Sequence, residues 1–276
     1  LDFLVVQDLY ATTETAQRAD LFLPAAGSGE KQGTFINSER RLGVVQKVMD
    51  PPGDSLPDFE IFLRIADAWG CGELFARWRS PEQVFRILQR TSAGRPCDIT
   101  GINGYADLVE KRGIQWPYPE DSPDEAPERR LFEDGKFFTP DRKARILFED
   151  IAEVPEPPDQ EYPFVLLTGR GTVAQFHTQT RTGKVEMLNR ISPSEVPVQI
   201  HPDDAKTLGI EPGGPVRVSS RRGSVTASAE ISDEVQQGQV FMPMHFAETN
   251  MLTFPVFDPY SGEPGYKYAA VKVAPG

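Results

Sequence analysis

Hydrophobic and polar positions divide the 276-residue chain into three stretches of different rhythm. The first opens on a continuous apolar run, Phe3-Leu4-Val5-Val6, which stops at the polar pair Gln7-Asp8. Such a run is typical of a strand buried on both faces of a parallel sheet. A strand of that kind needs neighbours and covering helices, so this reading expects a larger α/β domain continued upstream of residue 1. Thr12 is placed to cap a short helix with Glu14 in its first turn, ending near Asp20. A second apolar strand, Leu21-Phe22-Leu23, stops at Pro24, and a loop of small residues runs from 25 to 33. Residues 58–69 have helical spacing, with Phe59, Phe62, Leu63 and Ala66 on one face and Gly70 and Gly72 ending the helix. Ser80 and Pro81 open another helix at its N-cap and first position, with Val84, Phe85 and Leu88 on its apolar side.

From about residue 95 the rhythm breaks. Proline and acid accumulate, as in Trp116-Pro117-Tyr118-Pro119-Glu120 and Pro155-Glu156-Pro157-Pro158, with one short helix expected over 105–111. This composition suits a connector that wraps a surface or links domains, and it equally suits a solvated linker. From residue 161 short alternating segments follow: strands at 162–167 and 196–200, a short helix from Pro202 to Gly209, a hairpin turning at Arg221-Arg222-Gly223-Ser224, and a strand at 239–242. Several short strands around one short helix point to a small closed barrel. The expected organisation is an α/β part over 1–94, a connector over 95–160 and a barrel domain over 161–276.

Composition narrows the picture. Hydrophobic residues make up 39% and charged residues 25%, as in a globular chain, and no apolar run is long enough for a helical membrane span. The formal net charge of −12 argues against non-specific nucleic-acid binding, which requires a basic surface. It leaves room for an anionic ligand, because backbone donors and a few cations can hold phosphate on an acidic protein. The two cysteines, Cys71 and Cys97, form neither a CxxC pair nor a disulfide framework, and a reducing cytoplasm is the expected compartment. The three histidines, His177, His201 and His245, lack metal-ligand spacing.

Candidate chemistry gathers at three places. Gln7-Asp8 ends the first strand, and the second runs on into Glu30-Lys31-Gln32-Gly33-Thr34. In open α/β sheets ligands bind past the carboxyl ends of strands. There an Asp can accept two hydrogen bonds from a base or ribose edge and a Lys can neutralise a phosphate. An Asp after a strand is equally an ordinary turn residue. The second place is Thr168-Gly169-Arg170-Gly171-Thr172, directly after a strand and followed by Phe176-His177-Thr178-Gln179-Thr180-Arg181-Thr182-Gly183. Glycine lets backbone approach a ligand, Thr offers a hydroxyl and Arg forks onto oxygen, although the spacing is neither a dinucleotide fingerprint nor a P-loop. The third comprises Met242-Pro243-Met244-His245-Phe246, Asn250-Met251-Leu252-Thr253 and Tyr266-Lys267. His245 could serve as an acid or base, but a core histidine is the more common case.

In order and separation these elements, with Ala19-Asp20-Leu21-Phe22-Leu23-Pro24, Glu30-Lys31-Gln32-Gly33-Thr34 and Asn37-Ser38-Glu39-Arg40-Arg41, make the chain resemble the molybdopterin oxidoreductase family over nearly its whole length. That family includes nitrate reductases and formate dehydrogenases. The run from His177 to Thr182 looks most like assimilatory nitrate reductases. The resemblance implies the remainder of a Rossmann-like α/β domain followed by a double-psi β-barrel. It also implies two pterin guanine dinucleotides on one molybdenum. Gln7, Asp8, Lys31 and Asp58 would belong to one nucleotide site. Thr168, Gly169, Arg170, Gly171, Thr172, His177 and Thr178 would wrap the other dinucleotide, in a loop one residue longer than in periplasmic relatives. Asn250, Tyr266 and Lys267 would approach the pterin, and Met244 matches an aromatic contact position. The family's iron–sulfur cysteines and molybdenum-ligating residue have no counterpart in this sequence. The resemblance therefore implies that the 4Fe-4S cluster and the metal ligand come from an N-terminal part of the same enzyme, with a possible electron-transfer subunit as partner and no catalytic residue here. Nitrate reduction is the expected activity of the intact enzyme. A formate dehydrogenase, a non-catalytic small-barrel binding module, and an unrelated α/β enzyme using Asp8, Lys31 and His245 are the rivals.

Overall fold

A computed structural model of the chain describes residues 1–122, 129–148, 154–171, 179 and 181–276. It divides into two compact units, Leu1–Leu147 and Phe148–Gly276. No helix among the described residues is long and apolar enough to cross a membrane.

In the first unit β1 (Val5–Asp8) pairs in parallel with β2 (Leu21–Pro24), in register from Val5 opposite Leu21 to Asp8 opposite Pro24. Within this chain the faces of the two strands stay partly open, Val5 of β1 being 47% exposed and Leu21 of β2 44%. The described sheet has only these two strands, so each keeps an uncovered edge. The helix expected from Thr12 is absent. A single 3-10 turn, Ala16–Arg18, stands there instead. The loop is organised by Thr13, whose hydroxyl accepts from the Ala16 amide at 3.3 Å and donates to the Asp8 carboxylate at 3.2 Å.

A second sheet follows, β3 (Gly33–Ile36) against β4 (Arg41–Val45), antiparallel, with β5 (Ile114–Gln115) added from much later in the chain. Between them come α1 (Asp58–Ala68), α2 (Pro81–Ser92) and α3 (Tyr105–Glu110). The Ser80 hydroxyl caps α2 by accepting from the Gln83 amide, with Pro81 at the first position as the sequence indicates. The stretch expected as a connector does not stand apart from the two units. Ile99, Ile102, Tyr105, Leu108, Ile114 and Tyr118 are buried together with Leu42 and Phe85 in the core of the first unit. Gln89, itself buried, donates to the Ile99 and Ile102 carbonyls and fixes that segment onto α2. These apolar residues lie in short pieces broken by glycine and proline, so no period of any length marks them.

The second unit contains β6 (Phe164–Gly169), α4 (Glu186–Ile191), β7 (Pro197–Ile200), α5 (Pro202–Leu208), β8 (Pro215–Ser219), β9 (Ser224–Ile231), β10 (Gln239–Pro243), α6 (Ala247–Asn250) and β11 (Tyr268–Pro275). Six strands close into a barrel in the order β10-β6-β11-β8-β9-β7. The pairs β6/β10 and β7/β9 are parallel and the other four antiparallel. This interleaved closed barrel is the double-psi architecture expected for the domain. Alternation decides what fills it: Val216 and Val218 on β8 and Val225, Ala227 and Ala229 on β9 point inward. Leu166, Val198, Ile200, Val240 and Val271 are fully buried beside them. Each such side chain contributes roughly 1.5–3 kcal/mol of burial. Gly209 ends α5 at φ 68°, a left-handed conformation that glycine adopts without strain.

Candidate functional site

In the first unit the polar cluster is made by side chains. Parallel pairing carries Gln7 and Asp8 to the same end as Pro24. The chain beyond β2 is then stitched to the segment before α1, since the Leu56 amide donates to the Pro24 carbonyl and the Ala26 amide to the Leu56 carbonyl. That ladder brings Asp58, the first residue of α1, beside β1. The Gln7 side-chain amide donates to Asp58 Oδ1 at 2.6 Å, and the Lys31 ammonium donates to Oδ2. Lys31 is delivered by a 3-10 turn, Ser28–Glu30, in which the Glu30 carboxylate accepts from the Gly27 amide at 2.6 Å. Burial alone would raise the Asp58 carboxyl, but the hydrogen bonds from Lys31 and Gln7 and the Lys31 charge outweigh it and hold it below the usual carboxylate range. Asp58 is therefore ionised at neutral pH, and it cancels the Lys31 charge.

Asp8 has a separate role in this geometry. Its carboxylate accepts from the Tyr10 amide at 3.3 Å and the Thr13 hydroxyl at 3.2 Å. Two carboxylate oxygens offer about four lone-pair directions, so acceptor capacity remains. The cluster presents acceptors from Asp8 and Asp58 and the further N–H groups of Lys31. That set suits a ligand edge bearing N–H or O–H donors together with a carbonyl or phosphate oxygen. It is not a plain phosphate pocket, because an anion would share Lys31 with Asp58.

In the second unit the cluster is made mainly by backbone, at one end of the barrel. Thr168 and Gly169 end β6, in parallel register with Met242 and Pro243 of β10. The Thr168 hydroxyl, in a buried residue, donates to the Tyr266 carbonyl at 2.8 Å, and the Thr168 amide donates to the Lys267 carbonyl. The Met244 amide donates to the Gly169 carbonyl at 2.8 Å. A Cβ on Gly169 would stand 3.1 Å from the Phe241 ring, so a larger residue would require that ring to give by a few tenths of an ångström. The Gly171 amide donates to His245 Nε2 at 3.1 Å. Thr168, Gly169, Gly171, Met244, Tyr266 and Lys267 are thus joined, with the exposed Arg170 between them in sequence. Asn250 is exposed at the end of α6, and that helix is tethered through Thr249, whose hydroxyl donates to the Pro243 carbonyl at 2.9 Å. Thr172, His177 and Thr178 lie outside the described residues.

His245 and Thr249 are members of this framework that the sequence did not single out as binding residues. His245 is 5% exposed and Thr249 fully buried. A lone polar side chain in an apolar run such as Met242-Pro243-Met244-His245-Phe246 must find a partner when buried, and that was the available signal. Accepting at Nε2 leaves the proton of the neutral ring on Nδ1.

Comparison with known proteins places matches on both units. Residues 1–68 match the molybdopterin oxidoreductase family model and residues 164–270 the molydopterin dinucleotide binding domain model. The chain is 38% identical over 280 residues to the F420-dependent formate dehydrogenase subunit alpha of Methanocaldococcus jannaschii, covering 99% of this chain and 39% of that protein. It is 36% identical to a nitrate reductase of Synechocystis, with the same two coverages, and 35% identical to the assimilatory nitrate reductase catalytic subunit of Bacillus subtilis, covering 100% and 38%. It therefore spans about two fifths of the length of these curated relatives. Among solved structures, acetylene hydratase from Pelobacter acetylenicus superposes with a TM-score of 0.68 at 18% identity, covering 100% of this chain and 40% of that one, a likeness of fold.

Proposed function

Given that the chain belongs to the molybdopterin oxidoreductase family, we propose that it is the part of a molybdenum oxidoreductase large subunit that grips two pterin guanine dinucleotides. One observation carries this reading: each family match encloses one polar cluster. Gln7, Asp8, Lys31 and Asp58 fall within 1–68, and Thr168 to Gly171, Met244, Asn250, Tyr266 and Lys267 within 164–270. The donor sets fit such a ligand. Carboxylates can accept from a guanine or ribose edge, and Lys31, Arg170 and the backbone donors of a glycine-containing turn can hold phosphate oxygens. The bound group supplies the electron or oxygen-atom transfer. The residues of this chain bind and orient it. Gln7 fixes Asp58, which fixes Lys31, the barrel end fixes Thr168 to Gly171, and the hydroxyl and amide of Thr168 hold the Tyr266 and Lys267 carbonyls. The remaining residues of the proposed binding set, Thr172, His177 and Thr178, follow in the sequence.

The metal ligand, a 4Fe-4S cluster and an electron-transfer partner are assigned to other parts of the enzyme, in the cytoplasm. Nitrate is the proposed substrate, on the run from His177 to Thr182. Formate is the second reading, favoured by the higher identity to formate dehydrogenase subunits, 38–40% against 35–36%. The test is to purify the full-length protein, release its nucleotide with acid, and assay it with nitrate and with formate. The expected result is about two GMP per molybdenum, with turnover of one of the two substrates. A preparation active without pterin or guanine nucleotide would overturn the proposal.

A further inference from the structure

An ion pair in the second unit, its carboxylate buried and its guanidinium partly so, lies outside every binding residue assigned above. Glu156 sits in Pro155-Glu156-Pro157-Pro158, and its side chain is 8% exposed. Arg222 stands in the turn between β8 and β9, where its amide donates to the Ser220 hydroxyl at 3.2 Å. The guanidinium grips the carboxylate with both prongs, Nη1 to Oε1 at 2.7 Å and Nη2 to Oε2 at 2.8 Å. Arg221 adds a third bond to Oε1 at 3.1 Å.

What this pair touches next gives it a direction. Glu156 Oε2 also accepts from the Ala270 amide at 3.0 Å, on the strand that begins immediately after Tyr266-Lys267. On its other side Arg222 donates to the Leu252 carbonyl, from Nη2 at 2.9 Å and from Nε at 3.3 Å. Its guanidinium lies 5.2 Å from the Phe254 ring centre. Leu252 is fully buried, two residues after Asn250. A Cβ built on Gly223 would stand 3.4 Å from the Met251 carbonyl oxygen, so the hairpin tip lies directly against this loop. One carboxylate and one guanidinium thus connect the segment before β6, the β8–β9 turn, the Asn250 loop and β11. Burial would raise the Glu156 carboxyl, but hydrogen bonds from Arg222 and the Ala270 amide outweigh it and hold it below the usual range, so the pair is ionised at neutral pH.

Buried ion pairs add little net stability compared with well-packed apolar residues, and their best-attested use is to fix one arrangement among several. We propose that Glu156 and Arg222 are positioning residues that set the Asn250 loop against the Tyr266-Lys267 strand start and thereby preorganise both for the pterin. The proposal rests on the cofactor reading above. Neither residue touches the ligand itself; each acts through the Leu252 carbonyl and the Ala270 amide.

The test uses full-length holoenzyme carrying Glu156→Gln or the milder Arg222→Lys. Two readouts are taken, amide hydrogen exchange by segment and acid-released GMP per protein. Losing a charge-assisted bond should speed exchange across residues 250–254 and 268–271 by roughly ten- to hundredfold. Exchange in residues 197–200, on the barrel strand β7, should stay unchanged, and GMP content should fall several-fold. Arg222→Lys keeps the charge without the fork and should give an intermediate result. Uniform acceleration across the barrel would reduce the pair to a general stabiliser and overturn the proposal, as would full GMP retention with a loosened loop. Failure of the underlying reading looks different: wild-type protein would then carry no GMP at all.

Discussion

The two polar clusters are built by opposite means. In the first unit, side chains from β1, the loop after β2 and the start of α1 meet around one carboxylate, with the Lys31 and Asp58 side chains 31% and 42% exposed. In the second, backbone groups are fixed by strand pairing at the end of a closed barrel, with Thr168 and His245 buried beneath them. A side-chain cluster can be edited without disturbing the fold. A backbone cluster inherits its geometry from the whole barrel and yields only when strands shift. On the proposed function, the contrast assigns adjustable selectivity to the first unit and rigidity to the second.

The largest expected effect breaks the barrel. Leu166→Ala removes a fully buried side chain from β6 and should cost about 2–5 kcal/mol, read by urea unfolding of the second unit. If the backbone cluster depends on the barrel, nucleotide retention falls with it. Retention at wild-type level in a markedly destabilised protein would contradict the contrast.

Next come the charged groups. Lys31→Ala or Arg170→Ala in the complete enzyme should weaken cofactor retention by about 1–3 kcal/mol each, with unfolding little changed. Molybdenum and guanine-nucleotide content are the measurements, and unchanged content in both variants counts against the assigned sites. Thr168→Val sharpens the comparison from the other side. It strips the Tyr266 carbonyl of its 2.8 Å partner, and a loss of about 1–2 kcal/mol should appear in both stability and retention.

The smallest effect is pH. Asp58 and Glu156 are both held below their ordinary values in the folded chain. Their contributions are therefore fully present above the unfolded values, about 3.9 for Asp and 4.3 for Glu, and are lost as pH falls through the folded ones. Melting temperature followed from pH 7 downward should stay level and then drop in the acid range. Asp58→Asn should flatten part of that drop, and an unaltered acid profile would remove Asp58 as a contributor. Added salt should weaken the half-buried Lys31–Asp58 pair more than the barrel end.

Sequence alone determined the barrel and the places where polar residues gather at strand ends. Alternation in β8 and β9, the Pro202 start and Gly209 end of α5, and the Ser80 cap of α2 are local, and local sterics and hydrogen bonding suffice to specify them. Gln7, Asp8 and Lys31 were legible because strand ends and turns carry recognisable polar punctuation, whereas Asp58 at the start of α1 was singled out only through the family resemblance.

Only the tertiary structure decided who pairs with whom. Nothing in the spacing tells that Lys31 is shared with Asp58, that His245 accepts from Gly171, or that Glu156 reaches Arg222 across 66 positions. The same holds for the buried residues between 99 and 118, hidden in a proline-rich stretch. A partner at long sequence separation is selected by the packing of the whole unit, through burial that makes an unpaired charge or amide too costly to leave. That selection is a property of three-dimensional neighbours, and no local pattern encodes it.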